Sequence, residues 1–364
     1  MEQERVGRSE AQYLLQEAPL MVLLEQAGAA RRALGFGQTA TFCREALLHY
    51  TNVCTTACSF CSFYRSPGHD QAFTAAIDTL VSRAVAARAA GATTVVVQGG
   101  HHPDLPFSYY TDLIAALRAA VPDLVIAGFS PPEVNHMAVR SGRPYTAVLA
   151  ELAAGGLDVL TGAGADVLAE AVRQHISQAK IPGETWLAIM RAAQEYSIHT
   201  TATLTYGHRE TDANLIDHLF RVRAMQDETG GFTAFTPWSY KPQGSPLGQL
   251  TPQGELPGYY LRLIAVSRLV LDNVPHVQAA NEAEGWRVAH LALQAGADDF
   301  GAVLVEGSGA VPPAAPPAKT AEAAVRAIHE AGFIPVERDG AYRTVPRNHA
   351  ERQATPDSGI PVIL

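Results

Sequence analysis

The segment ALLHYTNVCTTACSFC, residues 46–61, runs without a break from a strand-like stretch into a loop holding three cysteines. Residues 46–53 are the first of eight short apolar or β-branched runs, each ending in polar or glycine residues. The others are TTVVVQGG (93–100), LVIAGFS (124–130), LDVLTGAG (157–164), HTTATLTYG (199–207), FTAFTPWS (232–239), HVQAAN (276–281) and DDFGAVLVE (298–306). Between them lie alanine- and leucine-rich amphipathic stretches near 72–90, 107–120, 145–155, 165–175 with 184–196, 212–228, 257–272, 284–295 and 320–331.

Such alternation implies a parallel sheet covered by helices. Eight strand–helix pairs make an α/β fold of the (β/α)8 TIM-barrel type the economical solution, with chemistry at the carboxyl ends of the strands. A doubly wound open sheet is the alternative, and strand order separates the two. The domain reading is an N-terminal helical extension over 1–40, the barrel over 41–331 and a small C-terminal extension over 332–364. Helices are expected near 11–17 and 19–34, and the proline-rich VPPAAPPAKT (311–320) reads as a loop after strand eight.

The 364 residues are 47% hydrophobic and 17% charged, enough for a large core and unlike a disordered chain. The formal net charge of −9, with basic residues scattered, argues against nucleic acid as a partner. No apolar run is long enough for a membrane span and the start MEQERVGRSE lacks a signal-peptide core, so a cytoplasmic protein without a membrane partner is expected.

Three of the four cysteines, Cys54, Cys58 and Cys61, fall within eight positions, which is no disulfide framework. Spaced C-x3-C-x2-C, they read as metal ligands, with Cys43 as a packing residue. Three thiolates hold an iron–sulfur cluster with one iron left open to a small molecule. A fourth ligand from His69 would instead make a zinc site. Because the loop follows the first strand, either group would sit at the mouth of the barrel. The adjacent His101 and His102 point apart on a strand or turn and are assigned no metal.

YTNVCTTACSFCSFYRSPGHDQAF resembles the cluster loop of radical S-adenosylmethionine (SAM) enzymes of the futalosine route to menaquinone and of their deazaflavin-forming cousins. VVVQGGHHPDLP, GFSPPEV, GLDVLTGAGADVL, TTATLTYGHRET and DETGGFTAFTPWSYKP are similar, in order, to blocks of dehypoxanthine futalosine cyclases over most of residues 50–245. SPPE and FTPW favour the cyclases over the aminofutalosine synthases. The resemblance implies a [4Fe-4S] cluster on the three cysteines, S-adenosyl-L-methionine at the open iron, a one-electron donor and a nucleoside-derived substrate. It further implies reductive cleavage to a 5′-deoxyadenosyl radical, hydrogen abstraction from the substrate ribose, and closure of a spiro ring with loss of an electron and a proton. Phe60 would then shield the cluster or touch the adenine.

Other candidates carry a functional and a plainer reading. Gln98, Gly99 and Gly100 end the second strand, where two glycines would let the methionine end of the cofactor approach the backbone; a strand-to-helix turn is the plainer reading. Glu133, after Pro131 and Pro132, would aim a carboxylate at nucleoside hydroxyls, or complement a helix dipole. Tyr206 and His208 close the fifth strand as catalytic candidates for binding a substrate carboxylate or managing the lost proton, unless they are structural hydrogen-bonding residues. Trp238 offers an aromatic wall or core packing. Tyr64, Arg65 and His69 follow the cysteines, and the arginine fork suits a carboxylate in substrate or methionine, or a solvated loop.

The likeness lapses at CREALLHYTNVC before the cluster loop, at NEAEGW (281–286) and at the segment from Val305 to Thr320. The last two wall the pocket of a barrel. A sister radical enzyme, aminofutalosine synthase or a paralogue with another nucleoside substrate, and a cluster-binding protein without turnover therefore stand beside the cyclase.

Overall fold

The computed structural model describes residues 5–249, 257–305 and 320–346. Eight parallel strands follow one another around a ring: β1 (Thr39–Thr51), β2 (Thr94–Gly99), β3 (Val125–Gly128), β4 (Val159–Leu160), β5 (His199–Tyr206), β6 (Phe232–Ser239), β7 (His276–Val277) and β8 (Asp299–Leu304). β1 pairs with both β2 and β8. The ring closes where Gln278 bridges Asp299 in parallel and the Asp298 N–H donates to the Val277 carbonyl at 3.1 Å. That order excludes the doubly wound sheet, in which the first strand is internal and the sequence of strands reverses.

The strands read as near-continuous apolar runs because both faces are covered. On β2, Val95 and Val97 face outward into the helix layer, whereas Val96 faces the lumen with Val125, Ala127, Val159 and Leu47. This inner belt fills the lower lumen and leaves polar residues above it. Outside, helices Arg8–Gln16 and Leu20–Ala33 bury Leu14, Leu15, Leu23 and Ala27. The first is tied to helix Pro257–Val270 by Arg262, which donates to the carbonyls of Leu14 and Ala18 at 2.8 and 2.7 Å.

Three features differ from the sequence reading. β1 begins seven residues before Ala46, because Thr39–Cys43 pairs with a ninth strand, β9 (Ile334–Arg338). The lower half of β1 thus pairs with β9 and its upper half with β2. Second, Pro131–Ser141 is a helix that periodicity did not announce; prolines at its first two positions cost no hydrogen bond there. Third, β4 and β7 shrink to two residues each. Most of the proline-rich segment, 311–319, lies outside the described residues.

β9 and the turn after it seal the amino end of the barrel. Tyr342 stacks on His276 with ring centroids 4.4 Å apart and donates to Gln278 Oε1 at 3.0 Å. The Gly340 N–H donates to Thr94 Oγ1 at 2.7 Å, and Arg338 is held by the buried Asp299 carboxylate at 2.9 Å.

Candidate active site

The polypeptide leaves β1 at Thr51 and makes one excursion, residues 52–74, across the carboxyl end of the barrel. Asn52 pins both limbs: its Nδ2 donates to the Gln71 carbonyl at 2.9 Å and its Oδ1 accepts the Phe73 N–H at 2.8 Å. The returning limb pairs with the outgoing one through Arg65 N–H to Asn52 O at 2.7 Å and Cys54 N–H to Arg65 O at 3.0 Å. Ala57, at φ 49°, takes the left-handed conformation that bends the tip between Cys54 and Cys58. Ser59 anchors that tip, donating through both N–H and hydroxyl to the Ile176 carbonyl at 2.9 Å.

Burial dominates at Cys58 and Cys61 and favours their thiol forms, with nearby donors opposing it only in part. Burial pushes the Cys61 thiol up, but the backbone N–H groups of Tyr64 and Phe63 donate to its sulfur. Burial likewise raises Cys58, opposed by Lys180 and by Ser177, whose hydroxyl lies 2.8 Å from its sulfur. Among the described residues no three of His, Cys, Asp and Glu converge to hold a single ion. A zinc site needs that convergence; a cluster does not, since each thiolate takes a different iron. The zinc alternative also loses its fourth ligand, because His69 accepts the Gln71 N–H at 3.0 Å through Nδ1 and lies 2.7 Å from Asp70. The donor set thus fits a three-cysteine cluster.

Beside Cys58 is a buried charge group that the sequence did not announce. Lys180 Nζ lies 2.7 Å from Asp166 Oδ2, Arg173 is 4.0 Å from the same oxygen, and Lys180 sits 4.8 Å from the Phe60 ring centroid. Burial opposes ionisation of Asp166, yet Lys180 and Arg173 hold its carboxyl below the usual range. Burial also opposes the Lys180 charge, but Asp166 and Cys58 raise it overall. Asp166 and Lys180 lie fourteen positions apart, so only folding brings them together.

Within the ring lies a cavity of about 370 Å³, walled by Glu45, Gln98, Trp238, Gln278, Asn281 and Glu282 among others. Gln98 and Trp238 therefore face the lumen. Phe60 packs half-buried at the nest under the Lys180 ammonium.

The remaining expected residues stand elsewhere. Tyr206 is only 1% exposed and turned away from the lumen, stacked on Tyr260 of the outer helix Pro257–Val270 at 6.5 Å. On β5 it is Thr201 and Thr203 that face the cavity, and a period of two sends residue 206 outward. Both His208 nitrogens are engaged by nearby chain: Nε2 lies 3.0 Å from the Thr205 carbonyl, while Nδ1 accepts the Arg209 N–H and lies 2.8 Å from Glu210. Burial opposes it, but His208 and the Gly207 N–H hold Glu210 down at about 2. Neither residue is placed to serve as the catalytic pair expected of it.

Glu133 is likewise spent on its own chain, not on nucleoside hydroxyls. It accepts from Tyr50 at 2.8 Å, Gly99 N–H at 3.2 Å and Ser130 at 2.6 Å, and burial lifts its pKa to about 7. Internal packing also accounts for the two glycines: a Cβ on Gly99 would lie 2.4 Å from the Tyr50 ring, and one on Gly100 2.2 Å from the Val53 carbonyl. Arg65 donates to the carbonyls of Ser62 and Tyr64 at 3.0 and 2.9 Å, bracing the loop instead of awaiting a carboxylate. Tyr64 and His69, with Arg65, line a hollow beside Cys61 that shares no residue with the central cavity.

Two family models match the chain: the radical SAM superfamily over residues 48–222 and the CofH/MqnC C-terminal region over residues 229–351. A cyclic dehypoxanthine futalosine synthase of Streptomyces coelicolor is 38% identical over 93% of this chain and 85% of its own. An aminodeoxyfutalosine synthase of Thermus thermophilus is 35% identical over 95% and 94%, and a 5-amino-6-(D-ribitylamino)uracil–L-tyrosine 4-hydroxyphenyl transferase of Methanopyrus kandleri 35% over 85% and 85%. Methylornithine synthase (PylB) superposes with a TM-score of 0.71 at 16% identity, covering 92% of this chain and 95% of that one, which speaks to the fold alone. With the cysteine loop at the mouth of a closed barrel and both halves matched, the chain belongs to the radical SAM superfamily, among the enzymes that carry the CofH/MqnC C-terminal region.

Proposed function

We propose that this protein is a cyclic dehypoxanthine futalosine synthase, using a [4Fe-4S] cluster on Cys54, Cys58 and Cys61, S-adenosyl-L-methionine, and electrons from a separate one-electron donor. The observation that carries the reading is one of position: the three-cysteine loop follows β1 at the carboxyl end of the barrel whose lumen holds a cavity of about 370 Å³ with an aromatic wall at Trp238. When bound, cluster and SAM supply a 5′-deoxyadenosyl radical. Everything else falls to the protein.

Phe60 packs at the nest under the Lys180 ammonium, and the buried Asp166–Lys180 pair fixes the charge beside Cys58. Trp238 presents a flat face to an aromatic substrate, and Gln98 an amide that both donates and accepts. The seal of β9 closes the lower end of the lumen, which keeps water from reaching a reactive radical by that route.

A sister activity is the second reading, favoured by the 35% identity to aminodeoxyfutalosine synthase over 95% of the chain. The two part in one anaerobic assay of the reconstituted, reduced protein with SAM. The cyclase yields 5′-deoxyadenosine together with a cyclised product from dehypoxanthine futalosine. Cleavage of SAM with no cyclised product rejects the cyclase in favour of a sister enzyme, and a cluster without any cleavage rejects both.

A further inference from the structure

Two carboxyl groups face one another across the wall of the cavity with no part in the chemistry described so far. Glu45 points inward from the middle of β1, and Glu282 from the short segment Asn281–Glu284 just after β7. Glu282 has no hydrogen-bond or ion-pair partner among the described residues. The neighbouring Asn281 is 2% exposed and lines the same cavity. Its amide nitrogen is committed to the carbonyls of Phe300 and Ala302, both at 2.8 Å, while its Oδ1 is buried without a partner. A buried, unpaired acceptor is costly, and such groups occur where a ligand completes them.

Three acceptor groups thus converge on one wall. The opposite wall is neutral, formed by Thr161, Thr201, Thr203 and Thr236. The charged and titratable groups that meet this wall are Arg338 and Tyr342 from β9 and its turn, Asp298 and Asp299 at β8, and Cys43 of β1, which is hydrogen-bonded to Glu45. Arg338 is already committed to Asp299. The complement of this wall is a neutral ligand rich in donors.

We propose that Glu282, Glu45 and Asn281 Oδ1 form an acceptor subsite that binds the vicinal hydroxyls of the substrate's sugar. This rests on the reading of the substrate as nucleoside-derived. An ionised carboxylate takes two hydroxyl protons at once, and hydrogen bonds to charged groups are the stronger kind. Surrounding protein, and then the neighbouring Glu45, lift the Glu282 carboxyl to about 7 although the residue keeps solvent-exposed surface, so the subsite gains accepting power as pH rises through that value.

The test is equilibrium dialysis of dehypoxanthine futalosine against the anaerobic, cluster-loaded full chain without SAM, from pH 6 to pH 8.5. Wild-type protein, Glu282→Gln and Glu45→Gln are compared, with the 2′,3′-dideoxy analogue as a second probe. Wild-type affinity is expected to rise through about pH 7. Glu282→Gln should lose that rise and bind about tenfold more weakly at pH 8, with iron content and circular dichroism unchanged. The dideoxy analogue should bind wild type weakly and be indifferent to Glu282→Gln, because variant and analogue remove the same bond.

Wild-type affinity and pH profile in Glu282→Gln would overturn the subsite, as would equal losses for the analogue in both proteins. If wild type ignores dehypoxanthine futalosine but binds a ribitylaminouracil, and Glu282→Gln weakens that binding, the subsite stands and the cyclase reading falls. Binding of neither probe removes both.

Discussion

Gly100 shows how a single residue sets the nest. Its missing side chain lets the end of β2 press against the Val53 carbonyl and the Cys54 Cβ, the latter 2.8 Å from where its own Cβ would be. Backbone cannot yield as a flexible side chain can, so Gly100→Ala must move the first cysteine. The expected outcome is a folded barrel with iron and sulfide per chain reduced by more than half, measured after reconstitution beside wild type. Gly99→Ala presses on Tyr50, which holds Glu133, and should disturb the nest less. Tyr206 carries the converse lesson: an aromatic at the end of a strand looks like a site residue until the direction of the strand is known.

Among elements, β9 has the largest consequence and left the least trace in sequence. IPVER holds a proline and two charges, the composition of an edge or a loop. It becomes a strand because the lower half of β1 extends beyond β2 and leaves backbone groups to be paired. Arg338 then lies buried against Asp299, at 2% and 0% exposure, with Thr41 donating to the same carboxylate. Removing one member of such a pair leaves a buried charge uncompensated, at a cost of about 3–5 kcal/mol. Arg338→Met should therefore lower the denaturant midpoint sharply, and Asp299→Asn added to it should recover much of the loss. Additive losses in the double variant would show that the pair does not couple.

For the whole molecule, the closed ring and its core do not depend on the nest. The hydrophobic cluster runs from Ala11 to Ala331 through all the main helices, while residues 52–74 form an excursion fastened by side-chain bonds. Stripping iron with a chelator and reductant should leave far-UV circular dichroism and the main unfolding transition within a few degrees of the loaded protein. Limited proteolysis should then cut first within 52–74. Collapse of the barrel on iron removal, as in small domains folded by their metal, would contradict this independence. Among the described residues no helix is long and apolar enough to cross a membrane.

What the sequence determined by itself is local. Runs of apolar residues alternating with amphipathic stretches point to parallel strands and helices, and three cysteines within eight positions necessarily share one loop. Fold class and the eight strands of the ring were legible for that reason, the ninth strand was not, and Gln98 and Trp238 lie where their strands bring them to the lumen. Tertiary structure alone decided the rest. It turned Tyr206 outward, spent Glu133, Arg65 and His208 on the chain itself, and brought Asp166 to Lys180 and Glu45 to Glu282. Those pairings span 14 and 237 positions, and which face a side chain takes depends on strand register. Register is fixed between neighbouring strands around the ring, and with both faces of a strand apolar its own pattern does not say which face turns inward.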